Sequence, residues 1–373
     1  MTPGASFTVP PGAVGTQKKN RLFFGGQHTA VPNPSSQVLA PHLLLRCSTA
    51  RGHPRPLEEP PECGTNKNGF RILGVMSPFE PAAAVPQSRL RGLFFGPSEL
   101  HAGWRLLIFL ALVTAIIVVA NPVAGVIFGN SGLLAARFSR KLVNVMAFVG
   151  ASLIMGKVEH RTLSEYGLPR NRLAAQRFTQ GVLIGTASVG LLVGLMAASG
   201  GFRIDSVALH GDQIWKWAAL YALAFALAAF EEEFRFRGYA FFTLTKGVGF
   251  WPAALFTSVL FGVAHLSNSG ETLLASMNAS IGGLVFALLL RWTGNLWLPI
   301  GLHASWNWTE SYIFGAVTSG ESLPGRLLES SSSANVWLTG GSAGHDVSIF
   351  CTVLFIGMWL LCWVWLRKAP PGG

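Results

Sequence analysis

Residues 215–230 run almost without a charge and lead into Glu231, Glu232, Glu233, Phe234, Arg235, Phe236 and Arg237, after which the chain is apolar again through Leu244. An ionisable group at bilayer depth costs roughly a few kcal/mol, so such a cluster faces a polar cavity unless the helix ends at Phe230 and the charges lie among headgroups. Residues four apart share a helix face, which matches Glu231 with Arg235 and Glu233 with Arg237. Glu232 has Phe236 four residues on, so it is the carboxylate left to hold a water and act as a base, with Arg235 three residues on as a competitor. Further along, Phe261 and His265 stand in an apolar run, and His303 and Asn307 lie one turn apart and project to the same side. Singly, His265 reads as a satisfied core residue and the His303–Asn307 pair as packing hydrogen bonds between helices.

Depth is what joins them. A turn over residues 246–249 makes an antiparallel hairpin in which Glu232 and His265 lie about 22 and 27 Å from the turn at the α-helical rise, nearly level. A carboxylate, two imidazoles and a carboxamide at comparable depth on three apolar helices are hard to explain as separate accidents.

The elements that must position them are membrane helices. The 373 residues are 50% hydrophobic and only 12% charged, with a mean hydropathy of +0.43, too few polar side chains to cover a soluble surface. Eight apolar segments follow one another, at 104–128, 141–158, 178–199, 213–245, 250–266, 272–292, 295–316 and 346–366, each near the roughly 20 residues that cross hydrocarbon. The expected fold class is therefore an all-α polytopic membrane protein of about eight transmembrane helices, with a polar catalytic cavity inside the bundle; the alternation of a membrane β-barrel is absent. Residues 1–98, rich in Pro, Gly, Ser and Arg, read as a disordered tail, 99–368 as the membrane domain and 369–373 as a second tail, with Met76 a possible alternative start.

The excess of 28 Lys+Arg over 17 Asp+Glu, a net +11, fits cytoplasmic flanks of membrane helices better than nucleic-acid binding. Most of these cations fall inside if both termini are cytoplasmic; Arg137, Arg140 and Lys141, in the first loop, are the exception. Trp251, Trp292 and Trp297 read as interfacial anchors, and Gly185, Gly190 and Gly194 as sites of close helix packing. Cys47, Cys63, Cys351 and Cys362 are too scattered to form a legible disulfide or ligand set.

These motifs resemble those of the CPBP family of intramembrane proteases, also called the Abi or CAAX type II prenyl endopeptidase family: E-E-x-x-x-R at Glu232, Glu233 and Arg237, F-x-x-x-H at Phe261 and His265, and H-x-x-x-N at His303 and Asn307. The likeness covers roughly residues 100–366. It implies an integral, multi-pass enzyme, expected in the inner membrane of a bacterium, that cleaves a peptide bond in a membrane-associated substrate, removing the last three residues after a prenylated cysteine in eukaryotic members. In the favoured mechanism Glu232 and His265 activate a water, His303 and Asn307 stabilise the oxyanion, Glu233, Arg237 and Phe261 support them, and no cofactor is needed. In the competing one, His265, His303 and either Glu232 or Glu233 hold zinc, although no H-E-x-x-H stands in the chain. A non-catalytic immunity or scaffold protein of the same fold is the alternative function, followed by a proton-coupled transporter.

Overall fold

The computed structural model describes residues 101–128, 133–267, 272–316, 324–332, 335–341 and 344–368; the expected tails, Met76, Cys47 and Cys63 fall outside them. Among the described residues the chain is built from helices α1 (Ala102–Phe128), α2 (Leu133–Glu159), α3 (Arg172–Ala198), α4 (Asp212–Arg237), α5 (Tyr239–Val248), α6 (Phe250–His265), α7 (Leu273–Thr293), α8 (Trp297–Trp308), the single turn α9 (Val336–Thr339) and α10 (Ile349–Lys368). Local sequence sets several ends. Asn171 caps α3 by accepting from the Ala174 N–H at 3.0 Å, and Thr272 caps α7 by accepting from Ala275 N–H at 3.2 Å. Gly294 closes α7 in the left-handed region at φ +60°, where a side chain would be strained.

Of the eight crossings expected, five are matched among the described residues by helices long and apolar enough to cross a bilayer, Ala102–Phe128, Ala135–Glu159, Arg172–Ala198, Asp212–Val248 and Leu273–Thr293, and shorter apolar helices stand at Phe250–His265 and Ile349–Val364. Helix α6 has 16 residues, about 24 Å at the α-helical rise, and the 12 residues of α8 run on without a break into a π-helical turn, Thr309–Ile313. The hairpin arm expected to be straight is also broken: Gly238 separates α4 from α5, and a Cβ there would lie 2.4 Å from the Phe234 carbonyl oxygen. A short antiparallel pair, β1 (Phe202–Val207) with β2 (Leu328–Ser332), joins the helices, an element the apolar pattern does not predict.

Glycines bring the site helices together, although not all of those expected. Cβ atoms at Gly181 and Gly185 of α3 would come within 2.2 and 2.4 Å of the Leu298 and Leu302 carbonyl oxygens of α8, while Gly190 and Gly194 face open space. Gly262 does the same for α6 against α7, where Ser276 donates to the Gly262 carbonyl at 2.8 Å. The apolar core around Phe109, Tyr166, Phe241, Leu288 and Ile300 fills the space between α1, α2, α5, α7 and α8. Trp251 and Trp292 are exposed as expected of anchors, but Trp297 is a staple, its indole N–H donating to the Pro169 carbonyl at 3.0 Å.

Candidate active site

The last two turns of α4 carry three successive carboxylates, each with a different environment. Glu231 is buried and paired with Arg235, as spacing predicts, and also lies 3.0 Å from Lys141 Nζ. Glu233 is buried, both its oxygens receiving Arg237 Nη1 at 3.1 and 3.2 Å. Its Oε1 is also 2.9 Å from His303 Nδ1, so Glu233 fixes the imidazole as well as the helix. Glu232 stands between them, with Oε2 3.8 Å from His303 Nε2.

Glu232 is not, however, without a cation. Lys141 Nζ sits 2.6 Å from its Oε1, from a residue expected in an outward-facing loop or at the start of a span but placed inside α2. Pairing along one helix could not reveal this, because the cation comes from a residue 91 positions away in the chain.

Arg237 is fully buried, and its guanidinium carbon lies 4.5, 5.4 and 5.9 Å from the ring centres of Phe261, Phe286 and Phe236. Its Nε and Nη2 make no hydrogen bond, so aromatic faces surround the part of the guanidinium that Glu233 does not reach. Gly283 of α7 makes the room: a Cβ there would be 2.6 Å from Nη2. Phe261 serves both histidines too, edge-on to His303 with centroids 6.0 Å apart and 4.6 Å from the His265 ring. On its other side His303 stacks on Phe286 at 5.4 Å.

His265 Nδ1 lies 2.7 Å from the Phe261 carbonyl oxygen, and because a carbonyl only accepts, Nδ1 carries a proton and Nε2 is the ring nitrogen left to other partners. Glu232, His265, His303 and Asn307 line one cavity of about 100 Å³ together with Phe261, Phe286, Trp306 and Asn278. The four residues singled out by spacing are thus brought to one cavity, with Glu233 and Arg237 immediately behind it.

One wall of the cavity was not foreseen. Asp346, in the short turn His345–Val347 before α10, lines it, its Oδ1 accepting the Trp306 indole N–H at 3.2 Å. Burial pushes this carboxyl above the usual aspartate range, against the pull of the Trp306 N–H and of the two cavity histidines. Its neighbour His345 is held down to about 4 by burial. Neither matches a motif; Asp346 opens the apolar segment expected over 346–366, whose helix starts only at Ile349, so hydropathy gave no reason to look toward the cavity.

The zinc alternative needs three ligands around one point. Among the described residues no three His, Cys, Asp or Glu side chains are gathered so as to hold a metal ion. With His303 Nδ1 on Glu233 and Glu232 Oε1 on Lys141, the donors as arranged do not fit zinc.

Comparison with known proteins agrees with the motifs. No curated protein matches the chain. A family model described as type II CAAX prenyl endopeptidase Rce1-like matches residues 214–309, a stretch that contains Glu232, His265, His303 and Asn307 but neither Lys141 nor Asp346. Helices long and apolar enough to cross a membrane thus stand in one chain with a stretch, residues 214–309, that is similar to the type II CAAX prenyl endopeptidase Rce1-like family.

Proposed function

We propose that the protein is an intramembrane endopeptidase that hydrolyses a peptide bond with water activated by Glu232 and His265, in the manner of a CAAX prenyl endopeptidase. The observation that carries this reading is the single cavity lined by Glu232, His265, His303 and Asn307. A water there gives one proton to Glu232 while the His265 Nε2 lone pair accepts its other hydrogen, and the oxygen attacks the scissile carbonyl carbon. Negative charge moves to the carbonyl oxygen, where Asn307 and His303 Nε2 donate; His303, doubly protonated, keeps its Nδ1–H on Glu233. No metal or cofactor takes part.

The substrate is a membrane-associated peptide or protein segment, prenylated or not, that reaches the cavity from the bilayer. At about 100 Å³ the cavity is smaller than the roughly 300–1,000 Å³ usual for a bound ligand, so the helices around it part to admit a peptide. The location is an inner membrane with both termini cytoplasmic, the side on which most of the flanking Lys and Arg then fall.

The reading is tested with purified protein in detergent and a quenched fluorescent prenylated peptide. Wild type is expected to cleave it, and Glu232→Gln and His265→Ala to lose about 10²–10⁴-fold in rate with an unchanged thermal midpoint. Cleavage by Glu232→Gln at the wild-type rate overturns the assignment.

A further inference from the structure

Asp346 belongs to none of the motifs and lies outside residues 214–309, yet it forms part of the cavity wall that carries the four site residues. Its position is built. Asn278 Nδ2 donates to the Asp346 backbone carbonyl at 2.6 Å, and Thr352 donates to Asn278 Oδ1 at 2.8 Å, tying the turn to α7 on one side and α10 on the other. Trp306, one turn from His303 on α8, fixes the carboxyl itself through Oδ1. No lysine or arginine lines the cavity.

The two carboxyls of this cavity differ in what touches them. Glu232 has the Lys141 ammonium at 2.6 Å, whereas the hydrogen-bond partner of the Asp346 carboxyl is a neutral indole N–H, with His265 and His303 acting on it only through space. A neutral carboxylic acid can accept that N–H on Oδ1 and still present an O–H from Oδ2, and two carboxyls divided in this way are how one site holds both a base and an acid.

We propose that Asp346 is a further catalytic residue, the proton donor to the amine that leaves when the peptide bond breaks. The inference rests on the hydrolase reading above. Attack of water transfers one proton to Glu232 and places the carbonyl electron pair on the oxyanion. When that pair returns, the C–N bond breaks, its electrons go to nitrogen, and the Asp346 O–H proton goes with them. The products are a carboxylic acid and a free amine. The proton held by Glu232 then passes through cavity water to Asp346, restoring both groups with the net consumption of one water.

An amine leaving group needs that proton and an activated phenolate does not, which supplies a test that a purely structural role would not satisfy. Two substrates share one acyl segment, one ending in a peptide bond and the other in a p-nitrophenyl ester, and both are assayed with full-length protein in detergent. Asp346→Asn keeps an acceptor for Trp306 and removes the acid; it is expected to lower kcat on the peptide about 10²-fold or more and to leave ester cleavage within about threefold. Asp346→Glu keeps an acid and is expected to restore at least about tenfold of the peptide rate. Equal losses on both substrates, an unchanged peptide rate in Asp346→Asn, or no rescue by Asp346→Glu overturns the role. Glu232→Gln is expected to abolish both activities, whereas wild type that cleaves neither substrate overturns the hydrolase reading itself.

Discussion

Two carboxylates are partly buried among the helices, Glu159 at the end of α2 and Glu232 near the end of α4, and the donors around them differ. Glu159 is saturated. Arg105 reaches both its oxygens, with Nε 2.8 Å from Oε1; the Tyr239 hydroxyl donates to Oε1 at 2.5 Å and the Tyr166 hydroxyl to Oε2 at 3.1 Å. Aromatic packing seals that cluster, Tyr239 lying 4.5 Å from Phe109 and 5.1 Å from Tyr166. Burial raises the Tyr166 phenol well above its ordinary range, so it remains a donor to Glu159 at any working pH. Glu232 has a single ammonium on Oε1 and keeps Oε2 toward His303 and the cavity. A buried acid whose acceptor sites are filled locks helices together, whereas one with an oxygen left over can take a proton from water.

That contrast is sharpest in Glu232→Gln set beside Glu159→Gln. The first is expected to remove about 10²–10⁴-fold of the cleavage rate while the thermal midpoint holds, the second to spare the rate per folded molecule; turnover and unfolding measured on the same preparations check both. Next come Asn307→Ala and His303→Ala, each expected to cost about 10²–10³-fold in kcat as an oxyanion donor is lost, read from steady-state kinetics. Glu159→Ala leaves Arg105 and two tyrosine hydroxyls without their acceptor at a partly solvated helix end and is expected to destabilise the bundle by about 1–3 kcal/mol, seen as a lower unfolding midpoint in detergent. The smallest effect is that of a chelator: incubation with excess EDTA is expected to leave the cleavage rate unchanged, and loss of activity restored by added zinc contradicts the metal-free site.

The legible parts of this site are those whose partners are close in sequence. Arg235 and Arg237 could be assigned to Glu231 and Glu233 because a helix places residues four apart on one face, and His303 with Asn307 followed from the same rule. Lys141 could not, since its contact depends on how α2 packs against α4. Asp346 was hidden for another reason: it stands in a turn, where no period exists to say which way a side chain faces. Hydropathy placed the apolar segments but not what surrounds each of them, because a helix such as α8 is apolar through contact with protein, all of Leu298–Trp306 being buried. Glu159 shows the converse limit, as an acid at the end of an apolar run gives no hint of whether tyrosines will gather round it.

Helix α8 carries a further consequence. From Leu298 to Trp306 every residue is buried, and its 12 residues are too few to span hydrocarbon alone. Its backbone ends are satisfied by protein, Asn295 Oδ1 accepting the Trp297 N–H at 2.9 Å and the chain running on into a helical turn over Thr309–Ile313, and Glu233 holds His303, so protein neighbours rather than lipid place this helix. Its place depends on the glycine track at Gly181 and Gly185 of α3 and on Glu233 of α4, so the positions of His303 and Asn307 are set by how three helices pack rather than by α8 itself.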